Sequence, residues 1–225
     1  MTRPRLLDLF CGQGGAAQGY YLAGFEPVGV DIVAQPRYPF EFHLADALVP
    51  STWPAGPFAA IHASPVCKLH TIATRRWRAA GREYPNQIPP ARELLTASGV
   101  PWIMENVPGA PLRPDYRLCG CLFDLQIAEG YLVRERWFET SWHGFDLRAP
   151  CAHAGRGVGP ISISGHGIDG YSRRVVGAIP LARRRALMGC EWMDRNGLGE
   201  AIPPAYTRYL GERLLAVVEG REVPA

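Results

Sequence analysis

At 225 residues, the chain can bury roughly 70–75% of its unfolded surface. That fits one domain with at most a small appendage. A hydrophobic fraction of 47% is ordinary for a globular protein, and no apolar run is long enough to span a bilayer, which excludes a membrane-embedded class. The net charge of +3 is too mild to announce nucleic acid, although 24 residues are basic and only Lys68 is lysine.

The N-terminal Met1-Thr2-Arg3-Pro4-Arg5 leads straight into an apolar run, so no signal peptide is read there and a cytoplasmic protein is expected. Leu6 to Phe10 reads as a first strand, Gly12, Gly14 and Gly15 as a tight turn, and Ala16 to Ala23 as a helix stopped by Gly24. Pro27 to Val30 forms a second strand closing on Asp31. A Gly-rich turn followed some 20 residues later by a carboxylate suits an adenosine-type cofactor. The glycines let the backbone approach it, and the carboxylate takes ribose hydroxyls. Leu44 to Ala47 looks like a third strand end, where Asp46 either bonds an adenine amino group or serves as a solvated turn or cap.

The run Phe58 to Ile61 leads to Ala63-Ser64-Pro65-Val66-Cys67-Lys68. A lone cysteine is usually a small buried hydrophobe. Here it follows a strand, where open α/β sheets place their ligands, and it adjoins a lysine that would favour thiolate. Thr71 to Arg82, with Arg75, Arg76, Trp77, Arg78 and Arg82, reads as a solvated face or loop, or as a cover for a polyanion. Pro89 to Ala97 is a helix. Val100 to Met104 is a strand ending at Glu105-Asn106, and Glu105 is an acid/base candidate.

Beyond Pro108 the pattern turns irregular. Leu118 to Leu125 and Tyr131 to Thr140 read as strands of a partly antiparallel region, with Arg134 and Arg136 on one strand face, either as a site pair or a surface pair. Cys119-Gly120-Cys121 and Cys151-Ala152-His153 have zinc-binding residue types, but CxC departs from the usual CxxC spacing, and no metal site is assigned. Scattered cysteines argue against a disulfide framework. Ser141 to Ala178, including Gly165-His166-Gly167 and Arg173-Arg174, reads as a small lobe or long loops. Pro180 to Gly189 and Thr207 to Glu219 are helices.

Five of these segments, in order, resemble motifs of the DNA (cytosine-5) methyltransferases. Asp8-Leu9-Phe10-Cys11-Gly12-Gln13-Gly14-Gly15 resembles their first motif, Pro65-Val66-Cys67 their catalytic Pro-Pro-Cys, and Glu105-Asn106-Val107 their Glu-Asn-Val. Arg134-Glu135-Arg136 resembles their paired arginines. Ala201-Ile202-Pro203-Pro204-Ala205-Tyr206 resembles the segment that returns to the cofactor pocket, particularly in small phage-type members. The resemblance implies a Rossmann-like doubly wound α/β sheet that binds S-adenosyl-L-methionine, with a small irregular recognition lobe. Residues 1–140 would be the catalytic core, 141–178 the lobe and 179–225 a segment returning to the core.

It further implies Cys67 as nucleophile, Glu105 as partner of cytosine N3, and Arg134 and Arg136 around a flipped base. The cofactor would lie against Phe10, Gly12, Gly14, Gly15, Asp31, Ile32, Asp46, Ala47 and Pro65. Double-stranded DNA is the implied partner, the protein a monomer in a bacterial or phage setting. Val66, Lys68 and Leu132 depart from the family pattern, and the recognition segment is short. The rival readings are the same chemistry on RNA or a free cytosine nucleotide, a modified sulfonium donor, a non-catalytic DNA-binding protein, or a zinc-stabilised nucleic-acid module using Cys119, Cys121, Cys151 and His153.

Overall fold

The computed structural model describes residues 2–146, 151, 153, 159–164 and 167–223. The chain begins with β1 (Arg5–Leu9), α1 (Gly15–Ala23), β2 (Glu26–Asp31), β3 (Glu41–Leu44) and β4 (Ala60–Ala63). Then come α2 (Arg75–Ala79), α3 (Ile88–Ala97), β5 (Trp102–Asn106), β6 (Tyr116–Leu118), β7 (Gln126–Ile127), β8 (Gly130–Leu132) and β9 (Arg136–Thr140). The later elements are β10 (Gly159–Ile161), β11 (Ile163–Ser164), β12 (Gly167–Ile168), α4 (Gly170–Val176), α5 (Leu181–Met188), α6 (Arg195–Glu200) and α7 (Pro204–Val218).

The main sheet has seven strands in the order β3-β2-β1-β4-β5-β9-β6. The first five are parallel, and β9 and β6 close the sheet antiparallel. Strands buried on both faces need apolar residues at nearly every position, which is how the short runs in this sequence read. One face carries Leu7, Leu9, Val30, Ile61, Ala63 and Met104 against Ile88, Ala91 and Leu95 of α3. The other carries Leu6, Ala60, Ile103 and Phe138 against Tyr20 of α1 and Tyr206, Leu210 and Leu214 of α7. Each large side chain so buried contributes about 1.5–3 kcal/mol.

Strand order reverses beside β1, so its carboxyl end opens a crevice between the neighbouring crossovers. Register makes that edge level. Leu9 pairs with Val30 and Ala63, and Ala63 pairs with Met104. The next residues on these strands are Phe10, Asp31, Ser64 and Glu105, one row along a single edge.

Three sequence expectations change here. Leu118 to Leu125 is not a strand: β6 ends at Leu118, and Gly120–Phe123 is a 3-10 turn that buries Cys121. A short apolar run does not tell a strand from a buried turn. Tyr131 to Thr140 is two strands, β8 and β9, separated at Val133-Arg134-Glu135, so Arg134 and Arg136 do not share a strand face. β8 leaves the main sheet to pair with β7 and β10. Finally, Thr71 to Arg82 is helical in part, through a 3-10 turn at Ile72–Thr74 and α2.

Within Ser141 to Ala178, the described residues form β10, the β11–β12 hairpin and α4, while residues 165 and 166 lie outside the described set. The small sheet of β10, β8 and β7 takes strands from both sides of residue 140.

Candidate active site

The glycine turn after β1 is shaped by backbone sign. Phe10 (φ 59°), Gly12 (φ 49°) and Gly14 (φ 82°) all adopt left-handed conformations. The Gly12 amide donates to Asp31 Oδ2 (3.0 Å), and Asp31 Oδ1 accepts from the Val33 amide (2.9 Å). A methyl group on Gly12 would meet nothing within 4 Å, so space lies open above the turn. Ile32, 69% exposed, stands beside it. This open cradle, a carboxylate with lone pairs to spare and an exposed aliphatic chain fit an adenosine-type cofactor.

Asp46 lies beyond β3, and its Oδ1 accepts the Leu48 amide (2.8 Å), so the turn reading is realised while Oδ2 has no protein partner among the described residues. Ala47 and Pro65 are buried, and Phe10 packs against the α3 face of the core.

The last third of the chain props this turn from behind. A Cβ at Gly15 would stand 2.5 Å from the Ile202 carbonyl, so only glycine permits that approach. Trp192 Nε1 donates to the Gln13 carbonyl (2.7 Å), Gln13 Oε1 accepts the Asp194 amide (3.1 Å), and Thr207 Oγ1 donates to the Ala16 carbonyl (2.9 Å).

Cys67 opens a 3-10 turn just past β4 and is partly buried. Two amides hold that turn. Asn106 Nδ2 donates to the Pro65 carbonyl (2.8 Å), and Gln87 Oε1 accepts the Val66 amide (3.1 Å). Asn106 thereby ties the end of β5 to the end of β4, and its own Oδ1 accepts the Val107 amide (3.0 Å). The sequence reading missed Asn106 and Gln87 as positioning residues; an amide directly after the strand-end carboxylate was the available signal.

Burial and the Glu105 carboxylate push the Cys67 thiol above its ordinary range, while Arg136 and Arg134 pull it down. The cations acting on the sulfur are therefore these two arginines. Lys68, expected to favour thiolate, is exposed, and its neighbour in a 3-10 turn points away by about a third of a turn. Its carbonyl instead accepts from Arg78 Nη1 (3.1 Å) and Thr74 Oγ1 (2.5 Å).

Glu105 is 5% exposed, and its Oε1 accepts from Arg136 Nε at 3.0 Å. The antiparallel β9 begins where the parallel β5 ends, which is what brings Arg136 to that carboxylate. Burial raises the Glu105 pKa, against the opposing pull of Arg136, Arg134 and the Ser64 hydroxyl. Burial outweighs the ion pair, and the net shift is upward.

Behind Glu105 runs a buried hydrogen-bond chain on the α1 side of the sheet. Tyr20 OH meets His62 Nδ1 (2.9 Å), His62 Nε2 meets Ser64 Oγ (2.7 Å), and Ser64 bonds Glu105. Burial drives the His62 pKa down to about 3, so the ring is neutral and carries one N–H. The arrangement that satisfies every atom has Tyr20 donating to Nδ1, Nε2–H donating to Ser64, and Ser64 donating to Glu105.

Arg134 has a different task. Its Nε, Nη1 and Nη2 donate to the carbonyls of Ala201 (2.8 Å), Ile163 (2.9 Å) and Gly199 (2.9 Å). Its own carbonyl accepts from Tyr206 OH (2.7 Å). Burial and Arg136 lower its pKa, but three carbonyls around a planar guanidinium hold it charged. Arg134 is a clamp between the β11–β12 hairpin and the segment leading into α7.

No protein-family model matches this sequence, and no curated protein does. Solved structures do match in fold. The S. pombe Dnmt2 methyltransferase aligns with a TM-score of 0.59 at 14% identity, over 96% of this chain and 99% of that one. A protein described as a DNA modification methyltransferase, encoded within a prophage (E. coli), gives 0.54 at 14% identity, over 97% and 100%. The Entamoeba histolytica methyltransferase EhMeth gives 0.56 at 11% identity, over 97% and 99%.

The chain has the Rossmann-like fold of these methyltransferases. In open α/β sheets the crevice at a strand-order reversal is where ligands commonly bind. It is here that Gly12, Asp31, Cys67, Glu105 and Arg136 converge. Among the described residues, no helix is long and apolar enough to cross a membrane.

Proposed function

We propose that the chain is an S-adenosylmethionine-dependent DNA cytosine-5 methyltransferase. The observation that carries this reading is the level strand edge, which sets a cysteine, a buried carboxyl group and an arginine beside an open glycine turn. Gly12, Asp31 and Ile32 would hold the cofactor, with Asp46 Oδ2 available to its adenine. Bound there, S-adenosylmethionine supplies an electrophilic methyl group on a positively charged sulfur.

Cytosine C5 is a poor nucleophile until a nucleophile adds at C6. Cys67 sulfur forms that bond, after giving up its proton to solvent in the cleft. Glu105 in its acid form donates to N3 and balances the charge that builds on the ring. The two groups are coupled. An ionised Glu105 opposes a thiolate at Cys67, so a Glu105 that still carries its proton as the base arrives leaves the thiolate unopposed, and that same proton makes the hydrogen bond to N3. Arg136 keeps the carboxyl group aimed. Once C5 carries the methyl group, it loses its proton to a base or water in the cleft. The C6–S bond then breaks, and the sulfur departs with its electron pair.

A stacked base cannot reach Cys67, so the nucleotide must be flipped out, at a cost of a few kcal/mol. The segment after Cys67 suits a polyanion. Arg75, Arg76 and Arg82 are exposed, Trp77 is 45% exposed, and the Arg76 guanidinium stacks on the Trp77 ring at 4.4 Å. Arg78 instead folds back to brace the nucleophile's turn.

The test incubates the protein with labelled S-adenosylmethionine and duplex DNA carrying 5-fluorocytosine, beside Cys67→Ala. A covalent adduct that disappears in the variant is the expected result. Cofactor binding with neither adduct nor methylated product on any duplex would refute the DNA reading. The short recognition segment favours RNA as the second reading, so a parallel arm uses cytosine-containing RNA.

A further inference from the structure

Four soft ligands that play no part in the site above converge at the junction between the two sheets. Cys119 follows β6, and Cys121 lies two residues on, in the 3-10 turn; both are buried, at 1% and 4% exposure. Cys151 and His153 come from the other side of β9 and sit at the surface. Their three sulfur atoms and one imidazole nitrogen all lie within 4.8 Å of one another. Cys121 Sγ is 2.7 Å from Cys151 Sγ, Cys151 Sγ is 2.5 Å from His153 Nε2, and Cys119 Sγ is 3.6 Å from His153 Nε2.

We propose that Cys119, Cys121, Cys151 and His153 form a structural zinc site. Tetrahedral zinc with Zn–S near 2.3 Å and Zn–N near 2.0–2.1 Å sets its sulfurs roughly 3.8 Å apart and each sulfur about 3.5 Å from the nitrogen. Modest outward shifts of Cys121 and Cys151 give that figure, and the Cys119–His153 distance already meets it. The sulfurs of Cys121 and Cys151 are too far apart for a disulfide, whose bond is about 2.05 Å, and too close for two thiols in ordinary contact. A cation at the centre of the four atoms would hold these two sulfurs apart at the ligand spacing, about 3.8 Å. On binding, the three thiols lose their protons to solvent and the imidazole binds neutral. Four protein ligands fill the coordination shell, so the site is closed and structural, not catalytic.

Its place in the fold states its task. Tyr131 of β8 packs on Cys119 and Cys121 and donates to the His153 carbonyl at 2.9 Å. Three residues after Tyr131 comes Arg134, the clamp. Zinc would therefore bolt Cys151 and His153 to β8, the strand that leads to Arg134 and, two residues on, Arg136. The pairs are Cys-x-Cys and Cys-x-His, on opposite sides of β9, so local spacing alone does not announce them.

The test uses the full chain, purified without metal-affinity resin from zinc-supplemented cells, with metal measured by plasma mass spectrometry. About one zinc per chain is expected. Cys151→Ser and His153→Ala, both at surface positions, should lose most of it, while Cys190→Ser should keep it. Cobalt(II) replacing zinc should give the intense visible bands of a tetrahedral thiolate site in the wild type, weakened in His153→Ala. Metal-free protein that takes up no cobalt would overturn the proposal. So would a Cys121–Cys151 disulfide found by mass spectrometry of the alkylated protein, or zinc retained in both surface variants.

Discussion

Asp8 provides the sharpest test of the physical reading, because it lies beneath the glycine turn and carries a buried charge site with little to satisfy it. Its side chain is 1% exposed, Oδ1 has no partner, and Oδ2 accepts only the Tyr38 hydroxyl at 3.3 Å. Tyr38, Tyr20, Cys11, Asp31 and the register neighbour His62 surround it, and none of them is a cation at neutral pH. Burial raises its pKa from 3.8 to about 8, with the Tyr38 donation opposing and the Asp31 charge adding. The folded state thus holds a proton that the unfolded chain releases between these two values. The stability tied to that proton is fully present below the unfolded pKa and is lost as pH rises through the folded one.

At about 1.4 kcal/mol per unit, the whole window is worth at most about 6 kcal/mol. Asp8→Asn keeps the shape of the protonated acid and removes the titration. Chemical denaturation of both proteins at steps between about pH 5 and pH 9 is the assay. The variant's advantage should widen by about 4 kcal/mol between about pH 5 and pH 8 and then level off. Parallel stability curves, or an advantage that grows as pH falls, would refute the reasoning.

Glu105→Gln keeps the polar contacts to Arg136 and Ser64 but has no acid proton to give. We expect turnover to fall by about 10²–10⁴-fold with the fold intact, measured as methyl transfer to duplex DNA. Asn106→Asp is nearly isosteric but cannot donate to the Pro65 carbonyl, so it should cost about 1–3 kcal/mol and slow turnover by loosening the turn that carries Cys67. Denaturation and steady-state rates on the same preparation check both parts. Arg134→Lys keeps the charge but loses the planar fork that reaches three carbonyls in two separate segments. A loss of about 2–4 kcal/mol is expected, read by chemical denaturation. Turnover unchanged after a full loss of that stability would show the clamp to be remote from the chemistry.

The parallel half of the fold was legible because its strands are buried on both faces. Short apolar runs bounded by Gly15, Asp31, Cys67 and Glu105 mark both the strands and the edge where they stop. The antiparallel half was not. The run from Leu118 to Leu125 is apolar because a 3-10 turn buries Cys121, and apolarity alone carries no period. Arg134 and Arg136 look alike in sequence, two positions apart. Their roles separate only because the partners of one lie at residues 163, 199 and 201, while the partner of the other lies at the end of β5. The chain from Tyr20 through His62 and Ser64 was equally hidden, since it joins a helix to two residues of one strand end. Cys119, Cys121, Cys151 and His153 were visible as zinc-binding residue types, but the CxC spacing withheld a metal assignment, and their convergence shows only in the fold.

The glycine turn near the start of the chain is locked by Trp192, Asp194, Ile202 and Thr207, contacts that span nearly the whole sequence. While the chain is still emerging from a ribosome, β1 and α1 have no Thr207 to bond and no Ile202 to lean on. The glycine turn can therefore take its final form only after α7 has been made and has docked. Closing loops of that length costs entropy before any contact repays it, so folding should be slow and its last step should coincide with the onset of cofactor binding. Synthesis and completion of the turn are thereby coupled in time, and a partly made chain can expose Cys67 before the turn beside it is formed.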